Sequence, residues 1–230
     1  MKFKIPKSSN ADHRDVEHFK KMNAKYESIN KNRISCDHEL TSISHKYREL
    51  TDKGPDAVYW RKHCYTEFYG PLFDHLKDKP INMLEIGVNW GGSILMWDDF
   101  LNIKHLCGVD INLSKIKPPA RNLLKMRSNI KLIQGNAYNQ DFVNKNFGDI
   151  KYDIILDDGS HKYEHQVKFF NNYIHLLAPN GFLLCEDFQN VEQARAVIEN
   201  CDLNINRMSL ITRNHCIPSG KGEIIVMYKE

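Results

Sequence analysis

The chain has 230 residues, 41% of them hydrophobic, and a formal charge of +3 from 32 basic and 29 acidic side chains. That suffices for one domain with a proper core and a small extension, and the near balance of charge leaves no basic stripe of the kind that grips nucleic acid. No apolar run approaches the roughly 20 residues of a membrane span, and Met1-Lys2-Phe3-Lys4-Ile5-Pro6 lacks the apolar core of a signal peptide, so a cytoplasmic protein that uses no membrane is expected.

Residues 1–55 are polar and carry no strand pattern, only helical spacing at Val16, Phe19, Met22 and Tyr26. They read as an extension: a lid, an oligomer arm or a partly disordered tail. Thr51-Asp52-Lys53-Gly54-Pro55 is a turn signal. Aromatic and apolar residues then recur at helical intervals from Tyr59 to Leu76, which predicts a helix packed on a sheet.

Ile81 to Ser93 reads as a strand, a glycine turn and the start of a helix continued by Ile94, Leu95, Trp97, Phe100 and Leu101, with Trp97 expected in the core and Trp60 and Trp90 left as core or site residues. The turn spells E-x-G-x-x-x-G-G, with Glu85 just before Gly87, and so departs from the G-x-G-x-x-G that cradles a pyrophosphate. An acid there repels phosphate but accepts hydrogen bonds from a cationic or hydroxyl-rich ligand. His105 to Asp110 is a second strand, whose final acid stands where a ribose diol is held. Ile130 to Gln134 is a third, ending in Gly135-Asn136-Ala137, a turn small enough to lie against a flat base. Lys117-Pro118-Pro119 and Asn144 to Ile150 read as connectors.

The most informative stretch is Asp153 to Asp187. The apolar run Ile154-Ile155-Leu156 breaks on Asp157-Asp158-Gly159-Ser160-His161; a helical pattern follows, then Phe182-Leu183-Leu184-Cys185 ends on Glu186-Asp187. Strand, crossover helix, strand forces the two strands parallel, so four carboxylates and a histidine meet at one edge of the sheet. Acids crowded together repel unless a cation or shared protons neutralise them, and oxygen ligands from Asp158, Glu186 and Asp187 suit a hard divalent ion such as Mg²⁺. Solvated loop acids are the plain alternative, which has to account for two acidic pairs and a histidine together. His161 to His165 also spells H-x-x-E-H, the inverted zinc-protease pattern. It begins directly off a strand end, so it is read as coincidence, with His165 packed or solvated.

A helix over Val191 to Glu199 precedes two strands, Met208 to Thr212 and Glu223 to Tyr228, joined through Pro218-Ser219-Gly220 without a helix. That implies a hairpin and one antiparallel strand in an otherwise parallel sheet. The six cysteines form no CxxC pair, and two of them, Cys107 and Cys185, fall in strands, which favours reduced thiols.

Taken together, T-D-K-G at 51–54 with His63 and Tyr65, L-E-I-G-V-x-x-G-G-S at 84–93, G-V-D at 108–110, I-I-L-D-D-G-S-H at 154–161 and E-D at 186–187 resemble the class I S-adenosylmethionine-dependent methyltransferases. Within them the chain is similar to the metal-dependent sugar O-methyltransferases of the mycinamicin and tetracenomycin tailoring type, and to proteins labelled cephalosporin hydroxylase. The resemblance implies an α/β fold, a Rossmann-like seven-stranded, mostly parallel sheet with a C-terminal antiparallel hairpin, over residues 56–230. It implies Mg²⁺ on Asp158, Glu186 and Asp187, and His161 as general base beside the catalytic Asp158. For S-adenosylmethionine it implies Glu85, Gly87 and Asp157 at the methionine portion, Asp110 at the ribose, and Asn136 and Ala137 near the adenine. Asn89 and Asn136 stand where many relatives have glycine and an acid. The acceptor implied is a sugar-type hydroxyl, free or nucleotide-linked, and self-association is common in such proteins. Two alternatives stand beside it: methylation of a catechol-like aromatic diol, which the same metal logic serves, and a catalytically silent cofactor-binding subunit.

Overall fold

The computed structural model describes residues 38–58, 63–213 and 223–230. The helical spacing at Val16 to Tyr26, Trp60, Cys36, Cys216 and the Pro218-Ser219-Gly220 joint lie outside the described residues.

The parallel strands are β1 (Ile81–Ile86), β2 (Ile103–Asp110), β3 (Ile130–Gln134), β4 (Tyr152–Asp157) and β5 (Leu177–Cys185). β6 (Met208–Arg213) and β7 (Glu223–Lys229) complete a seven-stranded sheet in the order β3-β2-β1-β4-β5-β7-β6. β7 runs antiparallel to both of its neighbours, as the expected C-terminal hairpin requires. The helices are α1 (Glu39–Lys46), α2 (Thr66–Phe73), α3 (Gly92–Phe100), α4 (Pro118–Leu124), α5 (Gln140–Phe147), α6 (Tyr163–Tyr173) and α7 (Val191–Asn200).

Successive residues of a strand face opposite sides, and the central strands supply two cores in that way. Met83, Ile154, Leu156, Phe182 and Leu184 pack with Trp97 and Phe73 on one face. Leu84, Ile86, Ile155, Leu183 and Cys185 pack with Phe169, Tyr173 and Val197 on the other. Burial on both faces is why these strands read as unbroken apolar runs rather than as alternation. Trp97 is fully buried, as its spacing predicts.

Two expected connectors lie partly in helices, while Gly148 to Ile150 stays a connector. Pro118 and Pro119 sit in the first turn of α4, where a missing N–H costs nothing. Asn139 caps α5 through its side chain, which accepts from the Phe142 amide, and Val143 and Phe147 turn into the core. Residues 59–62 of the helix expected from Tyr59 to Leu76 lie outside the described residues, and the described part is helical from Thr66, as α2 followed by a single tight turn at Asp74–Leu76.

α1 falls within the polar first 55 residues, yet Leu40 and Ile43 are buried in the same core as Trp97. The chain after it passes so close to α3 that a Cβ on Gly92 would lie 2.5 Å from the Leu50 carbonyl carbon. The segment carrying T-D-K-G is thereby pinned over the strand ends. Among the described residues, no helix is long and apolar enough to cross a membrane.

Candidate active site

Strand register sets the rim. Ile86 is level with Val109 and with Asp157, and Asp157 is level with Cys185. The residues that follow, Gly87, Asp110, Asp158 and Glu186, therefore leave the sheet along one row. Above them lies a cavity of about 500 Å³. It sits over the β1/β4 junction, where the strand order reverses and α/β folds bind ligands.

One half of the cavity is made largely of backbone. Gly87 has φ +94°, and a Cβ there would meet the Asp158 carbonyl oxygen at 2.1 Å, so no other residue fits. Asp110 accepts from the Asn89 amide at 2.9 Å and the Asn112 amide at 2.8 Å, which fixes the two loops around it. Asn136 and Ala137 line the wall, and the Asn136 side chain accepts from the Tyr138 amide at 3.0 Å. Gly87, Asp110, Asn136 and Ala137 are thus gathered on one cavity, as the sequence expects.

The other half is made of charged and hydroxylated side chains. His161 Nε2 lies 4.0 Å from Asp158 Oδ1 and 3.9 Å from Asp187 Oδ2. Ligand atoms of these three residues lie within 4.8 Å of one another, near enough to share a cation. His161 and Asp187 both hold left-handed backbone, φ 53° and 56°, a conformation that costs about 1–3 kcal/mol at a non-glycine position and gathers at functional sites. Burial acts to raise the Asp187 carboxyl, yet His63, His161, the Tyr65 hydroxyl and Lys53 together hold it below the usual carboxylate range.

Three expected residues face inward instead. Glu85 is fully buried and does not line the cavity; burial pushes its carboxyl up to about 8, against the pull of Lys53. Asp157 is 2% exposed and accepts from the Tyr138 hydroxyl at 2.7 Å and the Gly159 amide at 3.0 Å, so it shapes the turn that carries Asp158. Burial pushes its carboxyl up to about 6. Glu186 is fully buried, accepting from the Tyr69 hydroxyl at 2.5 Å and from the Lys53 ammonium.

Lys53, Tyr65 and Tyr69 complete the acid cluster from more than a hundred residues away in the chain. Tyr65 donates to Asp187 and Lys53 to Asp158 at 2.5 Å. Burial works against the Lys53 charge, but Asp158, Glu186, Asp52 and Glu85 hold its pKa well above the ordinary lysine value. The signal for them was the T-D-K-G segment with Tyr65, which carried no role in the sequence. His165 is packed: it stacks on Tyr138 at 4.2 Å and pairs with Ser160 at 2.5 Å, on the cavity wall. The zinc-protease pattern fails because α6 begins at Tyr163, which leaves His161 outside the helix that would align the two histidines.

A seven-stranded sheet in this order, with a glycine turn after its first strand and a polar rim over the reversal point, is a Rossmann-like methyltransferase fold. Residues 84–188 match the family described as a methyltransferase domain. The chain is 30% identical over 138 residues to the 8-demethyl-8-alpha-L-rhamnosyl tetracenomycin-C 2'-O-methyltransferase of Streptomyces olivaceus, covering 56% of this chain and 34% of that protein. It is 29% identical over 135 residues to the mycinamicin VI 2''-O-methyltransferase of Micromonospora griseorubida, covering 54% and 31%. The chain thus matches only about a third of the length of these relatives. Its fold is similar to that of the MycE methyltransferase of the mycinamycin biosynthetic pathway, solved with Mg and SAH, with TM-score 0.57, 20% identity, and coverage of 83% of this chain and 54% of that one.

Proposed function

We propose that this domain transfers a methyl group from S-adenosylmethionine to a hydroxyl of a sugar or sugar-bearing small molecule, with the help of a divalent ion such as Mg²⁺. The observation that carries the reading is the meeting of two different half-sites on one cavity: a backbone-built pocket at Gly87, Asp110 and Asn136, and the Asp158–His161–Asp187 cluster beside it. The names of the sugar O-methyltransferases that the chain resembles support the acceptor class.

Gly87 would let the backbone approach the methionine portion, Asp110 would offer carboxylate oxygens to the ribose hydroxyls, and Asn136 and Ala137 would border the adenine. Glu85 and Asp157 act indirectly, by holding the turns behind this surface. The sulfonium is already an activated donor, so the difficulty lies in the acceptor, a hydroxyl that is barely acidic at neutral pH. Two carboxylates fit a hard divalent ion, and Asp158 and Asp187 would hold it, leaving the His161 imidazole beside it to act as a base. When bound, such an ion makes a nearby hydroxyl more acidic. His161 Nε2 takes the hydroxyl proton; the acceptor oxygen attacks the methyl carbon in line, the C–S bond breaks, and S-adenosylhomocysteine leaves as a neutral thioether.

The test is calorimetric titration with S-adenosylhomocysteine, followed by methyl transfer to rhamnosyl and nucleotide-linked sugars with Mg²⁺ or with a chelator. The expected result is binding and Mg²⁺-dependent transfer to a sugar. Binding with transfer only to catechols would overturn the acceptor class, and no binding would overturn the activity.

A further inference from the structure

His161 and Asp187 face each other at 3.9 Å from two different turns, one after β4 and one after β5, and both hold left-handed backbone. Strain of that kind persists only where the surroundings fix it. Two glutamines reach these turns from behind. Gln166 of α6 is 1% exposed, although glutamine is mostly a surface residue, and its Nε2 donates to the Glu186 carbonyl at 3.3 Å. Gln193 of α7 donates through its own Nε2 to Gln166 Oε1 at 2.6 Å and to the His161 carbonyl at 3.4 Å. Gln193 is held in place by the cap of its helix, since the Asn190 side chain accepts from the Gln193 amide at 2.7 Å. Both ends of the chain of bonds are carbonyls, which only accept, so each glutamine amide has a single orientation that satisfies it.

Peptide units are planar and turn as rigid bodies. The Glu186 carbonyl belongs to the unit whose rotation sets φ of Asp187, and the His161 carbonyl to the unit whose rotation sets ψ of His161. The two bonds therefore restrain the two left-handed residues directly. We propose that Gln166 and Gln193 form an amide bridge that holds the turn after β4 and the turn after β5 in one fixed relation, and so positions the His161 imidazole against the acid cluster. The inference rests on the reading of His161 as the base and adds to it the device that aims that base. Both glutamines are positioning residues: neither lines the cavity, and both are neutral, so replacing them with another neutral side chain changes no charge in the cluster.

The test uses the full chain with Gln166→Met, Gln193→Met and both together, methionine being neutral and of similar length. Hydrogen–deuterium exchange read by mass spectrometry follows the two turns, in peptides covering residues 158–162 and 186–190, and steady-state kinetics follow the reaction. Each single variant should speed exchange at both turns about fivefold, the ordinary effect of losing one such bond. The double variant should exceed either single one by no more than about twofold, because partners in one network are not additive. Misplacing the base should lower kcat about tenfold or more, while S-adenosylhomocysteine affinity and the acceptor KM stay within about twofold of the wild type, the pattern of a lost transition-state interaction. Exchange that quickens only at the nearer turn, or that adds up in the double variant, would make the glutamines two separate packing residues and overturn the bridge. An unchanged kcat beside faster exchange would overturn the positioning role. If the buried Gln166→Met does not fold, Gln193→Met decides, through exchange at residues 186–190, whose carbonyl it does not touch. A wild type that transfers no methyl group would sink the proposed function instead, and exchange at the two turns would then decide the bridge alone.

Discussion

The two halves of the cavity are built by different means. Around Gly87 and Asp110 the wall is held by the backbone of successive strand-end turns, with Asp110 accepting from the Asn89 and Asn112 amides, so each piece of it sits in a short local motif. Around Asp158 and Asp187 the wall is held by buried side chains from distant parts of the sequence, Lys53, Tyr65 and Tyr69. A backbone cradle works by shape and tolerates little change at one glycine. A charge cluster works by balance, and each member's state depends on the others.

The sharpest way to separate the halves is to disable one and leave the other. His161→Ala should lower kcat by about 10²–10⁴, the usual worth of a general base, while S-adenosylhomocysteine affinity stays at the wild-type value. Asp158→Asn should behave alike, and a fall in cofactor affinity equal to the fall in kcat would show that the halves are not separable. The reciprocal change is Gly87→Ala. Left-handed backbone at a non-glycine position costs about 1–3 kcal/mol, and the methyl would also strike the Asp158 carbonyl. Thermal melting should show the destabilisation, and calorimetry the loss of S-adenosylhomocysteine binding.

Glu85 probes the charge balance through pH. Its carboxyl is pushed up from 4.5 to about 8 by burial, so the folded chain keeps a proton that the unfolded chain sheds. Its stabilising contribution is full below the unfolded value and declines as pH rises from about 4.5 toward 8. Glu85→Gln, a neutral isostere, should flatten that part of the stability–pH curve measured by urea unfolding. An unchanged slope would mean that Glu85 is ionised in the fold. The smallest effect is expected from Tyr138→Phe, which removes the hydroxyl that donates to Asp157 and accepts from the Ser160 amide. A loss of about 1 kcal/mol is the ordinary net worth of such a bond, and differential scanning calorimetry would register it. Because that hydroxyl also pulls the Asp157 carboxyl down, its removal should move the titration further above 6.

The sequence by itself determined the central strands, because a strand buried on both faces must be an apolar run, as in β4. It determined that the acids share a rim, because a crossover forces parallel strands. It also determined the glycine turn, because only glycine takes the backbone of Gly87 without strain. It did not reveal α4, which starts on two prolines without a side-chain cap, or α5, whose start depends on the Asn139 cap and on burial that short polar segments conceal. Nor could it say which member of each acidic pair reaches the cavity. Neighbouring residues at a strand end point to opposite sides, so Asp157-Asp158 and Glu186-Asp187 each offer one inward and one outward acid, and only the packed surroundings decide which. Tyr138 claims Asp157, and Lys53 with Tyr69 claims Glu186, so Asp158 and Asp187 are left to line the cavity. Those partners lie 19 to 133 residues away in the chain, a distance that only tertiary packing closes.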